Sequence, residues 1–398
     1  MAGTRGRGPT LSKDINRKLI YEALKRRGTT TRTELSAALG LTKNTVNAIV
    51  EELASAGYVR MTGLTVSGGA GRKALGVAFE PANRKALGFQ LLSRSILAVT
   101  TDLCGTPLER EELPLSETTP EATVAAVAAH AAAAQAAEPN RPLVGVGLGV
   151  PALVDPASGR VALSTHLGWR DVPLRAMLAD ALPLGRILVD NSVKLAAQGE
   201  LWFGAGRGTN HFAYCSFGAG VGCGIAIGGD IVRGEGGLAG ELGHTVVEPD
   251  GPRCACGNAG CLEAVAGLPA LFARVAAATG EPPERLDAAS LAERARQGDE
   301  AVLRELTRVG RAIGVALAPL VNLLNPRYVV CDGPLMLASD TLFPIIRQEM
   351  RGRSLSPASA QAELVRSSLH PLATAVGAAA GVVRAWEHQA DPLEPIPF

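Results

Sequence analysis

Between residues 13 and 27 the apolar positions Ile15, Leu19, Ile20, Ala23 and Leu24 recur at helical spacing, and Gly28 follows as a stop. Thr31 then stands ahead of a new apolar repeat, with Glu34 three residues on. In that arrangement side chain and backbone cap each other, so a helix is expected over 32–39, ended by Gly40. Thr42 caps a third helix reaching about residue 56, with Val46, Ile49, Val50 and Leu53 on its inward face. Helix, glycine-containing turn, helix is the helix-turn-helix order. A strand at 58–60, a Gly/Ser turn at 63–71 and a return strand at 75–79 add a wing, tipped by Arg72 and Lys73.

Beyond residue 82 the pattern changes to strands alternating with helices. Two strands flank a turn within 84–102, and Gly105, Thr106 and Pro107 turn into a third. An Ala-rich helix spans 120–138, and buried strands are expected at 144–150 and 187–191, the latter leading into a helix through Glu200. Strands at 212–217 and 223–227 enclose a Gly-rich turn, and 228–230 is a further hairpin turn. Residues 264–324 read as mainly helical, broken near 281–283, with Leu306, Val309, Ile313, Leu317, Leu320 and Leu324 in the core. A buried strand at 328–331 follows in this α/β body.

A chain of 398 residues exceeds one core, so two or three domains are expected, the first over 1–82. Charge divides along the first boundary: 13 Lys/Arg against 6 Asp/Glu in 1–82, and 26 against 32 in the remainder. A basic head on an acidic body points to a polyanionic partner at the head. The N-terminal residues carry no hydrophobic leader and no apolar run reads as a membrane span, so a cytoplasmic protein is expected.

Lys43, Asn44, Thr45 and Asn47 are polar and lie near the start of the third helix, where a recognition helix meets base edges in the major groove of double-stranded DNA. Lys can read guanine and Asn adenine. Thr31, Arg32 and Thr42, at the helix starts, and Arg72 and Lys73, on the wing, complete the candidate DNA-contacting set.

The densest chemistry lies in residues 241–263, ELGHTVVEPDGPRCACGNAGCLE. His244, Cys254, Cys256 and Cys261 form H-x9-C-x-C-x4-C, the ligand set of a closed tetrahedral zinc. A closed site is structural rather than catalytic, and this one would fix the nearby carboxylates Glu241 and Glu263. The other four of the seven cysteines, Cys104, Cys215, Cys223 and Cys331, sit in apolar surroundings as buried thiols.

GELGH followed by CxCGxxGCxE resembles the zinc signature of the ROK family (repressors, open reading frames and sugar kinases), with similarity over roughly 82–385, and residues 1–82 are similar to the winged helix of the family's regulators. The resemblance implies a two-lobed actin-like, hexokinase-like ATPase fold behind the winged helix, with a first lobe over 83–190, onto which a closing helix within 372–388 (Val376 to Trp386) packs back, a second lobe over 191–371 with the zinc knot and a sugar pocket, and homodimers or homotetramers. Ligand contacts carried over are Asn191, Glu241, His244, Glu263 and His166. Family kinases follow that asparagine with a catalytic Asp, where this chain has Ser192. The first phosphate loop is replaced by 90–95 (QLLSRS), Ala219 replaces a threonine in the second, and Asp332 stands where Gly meets adenosine. What this implies is a sugar-responsive transcriptional regulator, most simply a repressor, on a kinase fold that no longer transfers phosphoryl groups. The competing expectation is an active ATP-dependent sugar kinase with a fused winged helix.

Overall fold

A computed structural model of the chain describes residues 9–65, 74–182 and 185–389. Arg72 and Lys73 lie outside the described residues. The N-terminal unit comprises α1 (Pro9–Arg27), β1 (Thr29–Thr31), α2 (Arg32–Leu39), α3 (Lys43–Ser55), β2 (Val59–Thr65) and β3 (Ala74–Phe79), the strands forming an antiparallel sheet in the order β1-β3-β2. Local chemistry explains the breaks. The Thr31 hydroxyl accepts from Glu34 N while Glu34 accepts from Thr31 N, and α2 ends on Gly40 at φ 64°, a left-handed position. Thr42 caps α3 through Thr45 N at 3.2 Å.

The first lobe follows: β4 (Lys85–Leu91), β5 (Ser95–Thr101), β6 (Pro107–Pro114), α4 (Pro120–Ala137), β7 (Leu143–Val150), β8 (Leu153–Asp155), β9 (Arg160–Ser164), β10 (Trp169–Val172), α5 (Leu174–Ala181) and β11 (Ile187–Asn191). Five strands make a sheet in the order β11-β7-β4-β5-β6, and β8 to β10 form a small antiparallel flap. The second lobe contains α6 (Ser192–Phe203), β12 (Phe212–Phe217), β13 (Val221–Ile227), β14 (Asp230–Ile231), α7 (Leu262–Ala266), α8 (Leu268–Thr279), α9 (Ala288–Arg296), α10 (Glu300–Leu324), β15 (Tyr328–Asp332), α11 (Ser339–Arg353), α12 (Ser356–Gln361) and β16 (Glu363–Arg366). Its sheet runs β14-β13-β12-β15-β16. By length and composition alone, Leu262–Thr279 and Glu300–Leu324 could cross a membrane, contrary to the reading of the sequence. In α10 the apolar positions are instead turned into the core of the lobe, Val302, Leu306, Val309, Ile313, Leu317 and Val321 among them.

The chain closes with α13 (Ala373–Gln389), which packs on α6, β4 and β7. Its approach to the sheet depends on missing side chains: a Cβ on Gly88 would lie 1.8 Å from Ala375 O, and one on Gly147 would lie 2.3 Å from Ala378 O. The far end of α13 enters the winged helix. Ala379, Val382, Val383 and Trp386 share one hydrophobic cluster with Ile20, Leu24, Val46, Ile49 and Tyr58. The Trp386 and Tyr58 rings lie 5.9 Å apart, and Glu387 accepts from Tyr21 Oη at 2.9 Å and Lys25 Nζ at 2.6 Å. The N-terminal unit is therefore docked on the body through the chain's last helix.

Candidate functional site

On the winged helix, Thr42, Lys43 and Asn44 are exposed at the start of α3, and Thr45 and Asn47 are half-buried beside them. No acidic residue lies in the first turn of α3, so its amide dipole presents unopposed positive potential to phosphate. Arg32 is steadied by Asn47 Oδ1 and Glu51 Oε1, each at 3.4 Å. Thr31 corrects the sequence reading. It is 4% exposed and its hydroxyl is committed to capping α2, so it positions the helix and does not face outward.

The ELGH segment forms a short turn, Leu242–His244, and Cys261 stands immediately ahead of α7. The ligand atoms of His244, Cys254, Cys256 and Cys261 all lie within 4.8 Å of one another. Cys256 Sγ and Cys261 Sγ are 3.7 Å apart, as are Cys254 Sγ and His244 Nδ1. A tetrahedron with ~2.3 Å metal–sulfur bonds has edges of about 3.8 Å, so this cluster fits one metal ion. The chain must cross itself to make it: a Cβ on Gly260 would lie 1.5 Å from Glu248 O. A hydrogen bond from the Asn258 backbone and the neighbouring thiols draws Cys256 down to about 7, while burial pushes Cys261 up to about 12. Metal binding at neutral pH therefore has to expel a proton from Cys261.

Two residues after Cys261, Glu263 Oε2 accepts from Val221 N at 2.9 Å. A Cβ on Gly220 would lie 3.2 Å from that oxygen and 3.0 Å from His166 Nε2, so the loop after β9 reaches across from the first lobe to Glu263. Asn191, at the end of β11, caps α6: its Oδ1 accepts from Val193 N at 2.9 Å and Lys194 N at 3.1 Å, and Nδ2 donates to Ala152 O at 2.9 Å. One amide hydrogen remains for a ligand. The half-buried Glu241 joins this group through its field on Lys194. The structure thus brings His166 beside Glu263, holds Asn191 as the cap of α6 next to Lys194, and turns His244 Nδ1 toward Cys254.

Two cations in this region were missed from the sequence. Arg233 donates to Asp190, whose side chain is 3% exposed, and Lys194, itself 4% exposed, donates to Gly237 O. Burial lowers the Lys194 ammonium below its ordinary range, against the pull of Asp190 and Glu241. An acid directly before Asn191 was the available signal for a buried partner, but nothing in the sequence marked Arg233.

The positions of a kinase's nucleotide machinery are differently occupied. Ser192 begins α6 and is 9% exposed. Asp332 is turned inward: its Oδ2 accepts from Tyr214 Oη at 2.5 Å, and its Oδ1 accepts from Gly333 N at 2.7 Å and lies 2.6 Å from His370 Nδ1. Burial pushes the Asp332 carboxyl up, but these bonds outweigh it and hold the group below its ordinary range. The carboxylate closes an internal network, at the position where the reading of the sequence put it against a kinase's nucleotide.

Comparison with known proteins agrees with both halves. Residues 93–385 match the model of the ROK family, and 13–60 match a winged helix-turn-helix DNA-binding model. A putative xylose repressor from Caldicellulosiruptor sp. is 30% identical over 386 residues, 94% of this chain and 96% of that protein. A glucokinase from Thermotoga maritima is 35% identical over 246 residues, but this covers only 59% of this chain and 77% of the kinase. The crystal structure of a ROK family transcriptional regulator, a homolog of the E. coli MLC protein, superposes with a TM-score of 0.81 at 27% identity over 96% of this chain and 98% of that one.

Proposed function

The chain belongs to the ROK family, and from that premise we propose that it is a DNA-binding repressor of carbohydrate genes which a sugar or sugar derivative releases from its operator. One observation supports this reading: a polar recognition-helix start occurs in a chain whose general-base position holds Ser192 and whose Asp332 is tied into an internal network. A positioned base contributes ~10²–10⁴ in rate, and the Ser192 hydroxyl cannot take a proton near neutral pH. Asp190 is held by Arg233 and Asp332 by Tyr214 and His370, so neither carboxylate is free to replace the base or to admit a nucleotide. Kinase activity is accordingly read as lost.

Asn191, Glu241, Glu263, His166 and the free nitrogen of His244 form the sugar site in this reading. Carboxylates accept from paired hydroxyls, and the asparagine donates its remaining hydrogen. The metal is zinc, which three thiolates and an imidazole in tetrahedral array suit best. When bound it supplies no chemistry and holds the His244 turn against α7, which orients Glu263. The protein works in the cytoplasm as a homodimer or homotetramer. A dimer reads half-sites ~10 bp or a multiple apart.

Release follows from how the elements are joined. Asn191 caps α6, Thr374 Oγ1 on α13 donates to Ser192 O at 3.1 Å, and the other end of α13 is docked on α1. Sugar that closes the lobes shifts α13 and with it the winged helix. The sugar must bind the released state better, and a ~10⁴-fold preference takes a 1:99 balance to 99:1. Footprinting on DNA upstream of the chain's own gene tests this. Protection of paired half-sites that one sugar removes is expected. ATP-dependent phosphorylation of that sugar by the purified protein would instead establish the kinase.

A further inference from the structure

Residues 233–240 (RGEGGLAG) form a strap that runs from just after β14 to Glu241. Only Gly237 among them is buried, and Leu238, the one large apolar side chain, is 50% exposed. Packing against a core therefore does not fix the strap. Its path depends on left-handed glycines, Gly234, Gly237 and Gly240, at φ 73°, 75° and 94°. Within it Gly237 N donates to Gly234 O at 3.2 Å and Ala239 N to Arg233 O at 2.9 Å.

The strap lies across the boundary between the lobes. On the second-lobe side, Cys223 N of β13 donates to Gly240 O at 3.0 Å. On the first-lobe side, a Cβ on Gly237 would lie 3.1 Å from Val154 O and 3.2 Å from Pro156 Cδ, at the flap. Two cations fasten it there, one from each partner. Arg233 reaches out of the strap to Asp190 Oδ2 on β11, and Lys194 on α6 reaches into it to Gly237 O. The two residues that receive or send these bonds also hold Asn191: Asp190 Oδ1 accepts from Asn191 N at 2.8 Å, and Lys194 N donates to Asn191 Oδ1 at 3.1 Å. Buried ions do not in general repay their desolvation in stability, and apolar side chains of similar volume often serve as well. What charge-assisted bonds add is a fixed direction.

We propose that Arg233 and Lys194 are positioning residues of the sugar site: they clamp the strap to the turn that carries Asn191, and so fix Glu241, the residue following the strap, relative to that turn. Neither needs to touch the sugar. Ligand contacts held within a fraction of an ångström need such a supporting shell, and here it consists of two ionic clamps on an otherwise loose loop. A movement of one lobe on the other pulls on both clamps, so sugar affinity and the order of the strap change together. The inference rests on the sugar reading of the cleft.

Two measurements on the full chain test it: hydrogen–deuterium exchange read by mass spectrometry without sugar, and calorimetry with a panel of aldohexoses, aldopentoses, N-acetylhexosamines and their phosphate esters. In Arg233→Gln and in Lys194→Met the amides of 234–241 should exchange about tenfold faster, while those of 254–261, around the metal cluster, keep their rates. Any panel member that the unsubstituted protein binds should bind each variant about tenfold more weakly. Arg233→Lys, which keeps a charged donor, should recover part of both losses. A merely structural role predicts instead a lower melting temperature, faster exchange throughout the second lobe and an unchanged sugar Kd. The proposal is overturned by unchanged exchange in the strap, by exchange that rises equally across the lobe, or by a loosened strap with an unchanged sugar Kd. If the unsubstituted protein binds no panel member, the sugar reading of the cleft fails first and this inference falls with it, whatever the exchange of the strap.

Discussion

Glu387 is the sharpest place to separate DNA reading from sugar sensing. Its carboxylate accepts from Tyr21 Oη and Lys25 Nζ on α1, at the end of a helix whose other end is bonded to Ser192. Tyr21 is 2% exposed, and burial first, then Glu387, raises its phenol well above the ordinary range. Glu387→Ala leaves that hydroxyl buried and unpaired, which destabilises docking by ~1–3 kcal/mol. The Lys25 pair, whose side chains are 25% and 20% exposed, adds ~0–1 kcal/mol. A total of about 2 kcal/mol weakens docking of the winged helix on α13 roughly thirtyfold. The ring contact of Tyr58 with Trp386 and the core of the unit remain.

The exposed start of α3 is untouched, so DNA affinity without sugar should stay near that of the unsubstituted protein. What should fall is the ratio of DNA Kd values measured with and without the releasing sugar. Allosteric couplings are typically ~1–3 kcal/mol, so an undocking of about this size brings the ratio close to one. Fluorescence anisotropy of a labelled operator, titrated with and without saturating sugar, reads it directly. Leu355→Ala, an exposed change in the second lobe, is the control. A folded Glu387→Ala protein with the full sugar response would refute transmission through α13.

Three further outcomes are expected. Gly220→Ala places a methyl 3.0 Å from His166 Nε2 and 3.2 Å from Glu263 Oε2, so sugar affinity measured by calorimetry should drop while DNA affinity without sugar persists. Cys254→Ser, or chelation, should abolish metal binding measured by elemental analysis, lower the melting temperature and blunt the sugar response, since Glu263 loses its anchor. The His370–Asp332 pair should give a pH signature. The bond to Asp332 raises the His370 pKa, so its contribution is full below the unfolded histidine value and is lost as pH rises through the folded one. The Asp332 pKa is lowered, so its contribution is present above the unfolded carboxyl value and lost as pH falls through the folded one. Melting temperatures across pH 5–9 should therefore decline on the alkaline side of the histidine, and His370→Ala should flatten that decline.

The legible parts of the sequence were those where local chemistry decides structure. Capping by Thr31 and Thr42, the stop at Gly40 and the apolar stripe of α3 located the first three helices to within a residue or so, except the start of α1. The metal cluster was legible because four candidate ligands, one histidine and three cysteines, crowd into a short span. The flap β8–β10 went unread because its strands are short and largely polar on one side, and α11 because Pro344 interrupts its pattern. Arg233 and Lys194 were missed for a different reason: their partners, Asp190 and Gly237, are 43 residues away in each case. The same holds for Thr31, whose capping role was read correctly while its burial depended on how the unit packs.

The most direct measurement is the affinity of the purified chain for DNA upstream of its own gene, by fluorescence anisotropy over a range of salt, with a panel of sugars. The account predicts specific binding that weakens steeply with salt, is lost in Lys43→Ala and Asn44→Ala, and is released by one sugar in the unsubstituted protein but not in Asn191→Ala. Specific binding that no sugar changes, or that the Asn191 substitution leaves equally responsive, would contradict the assignment of the cleft as the sensor.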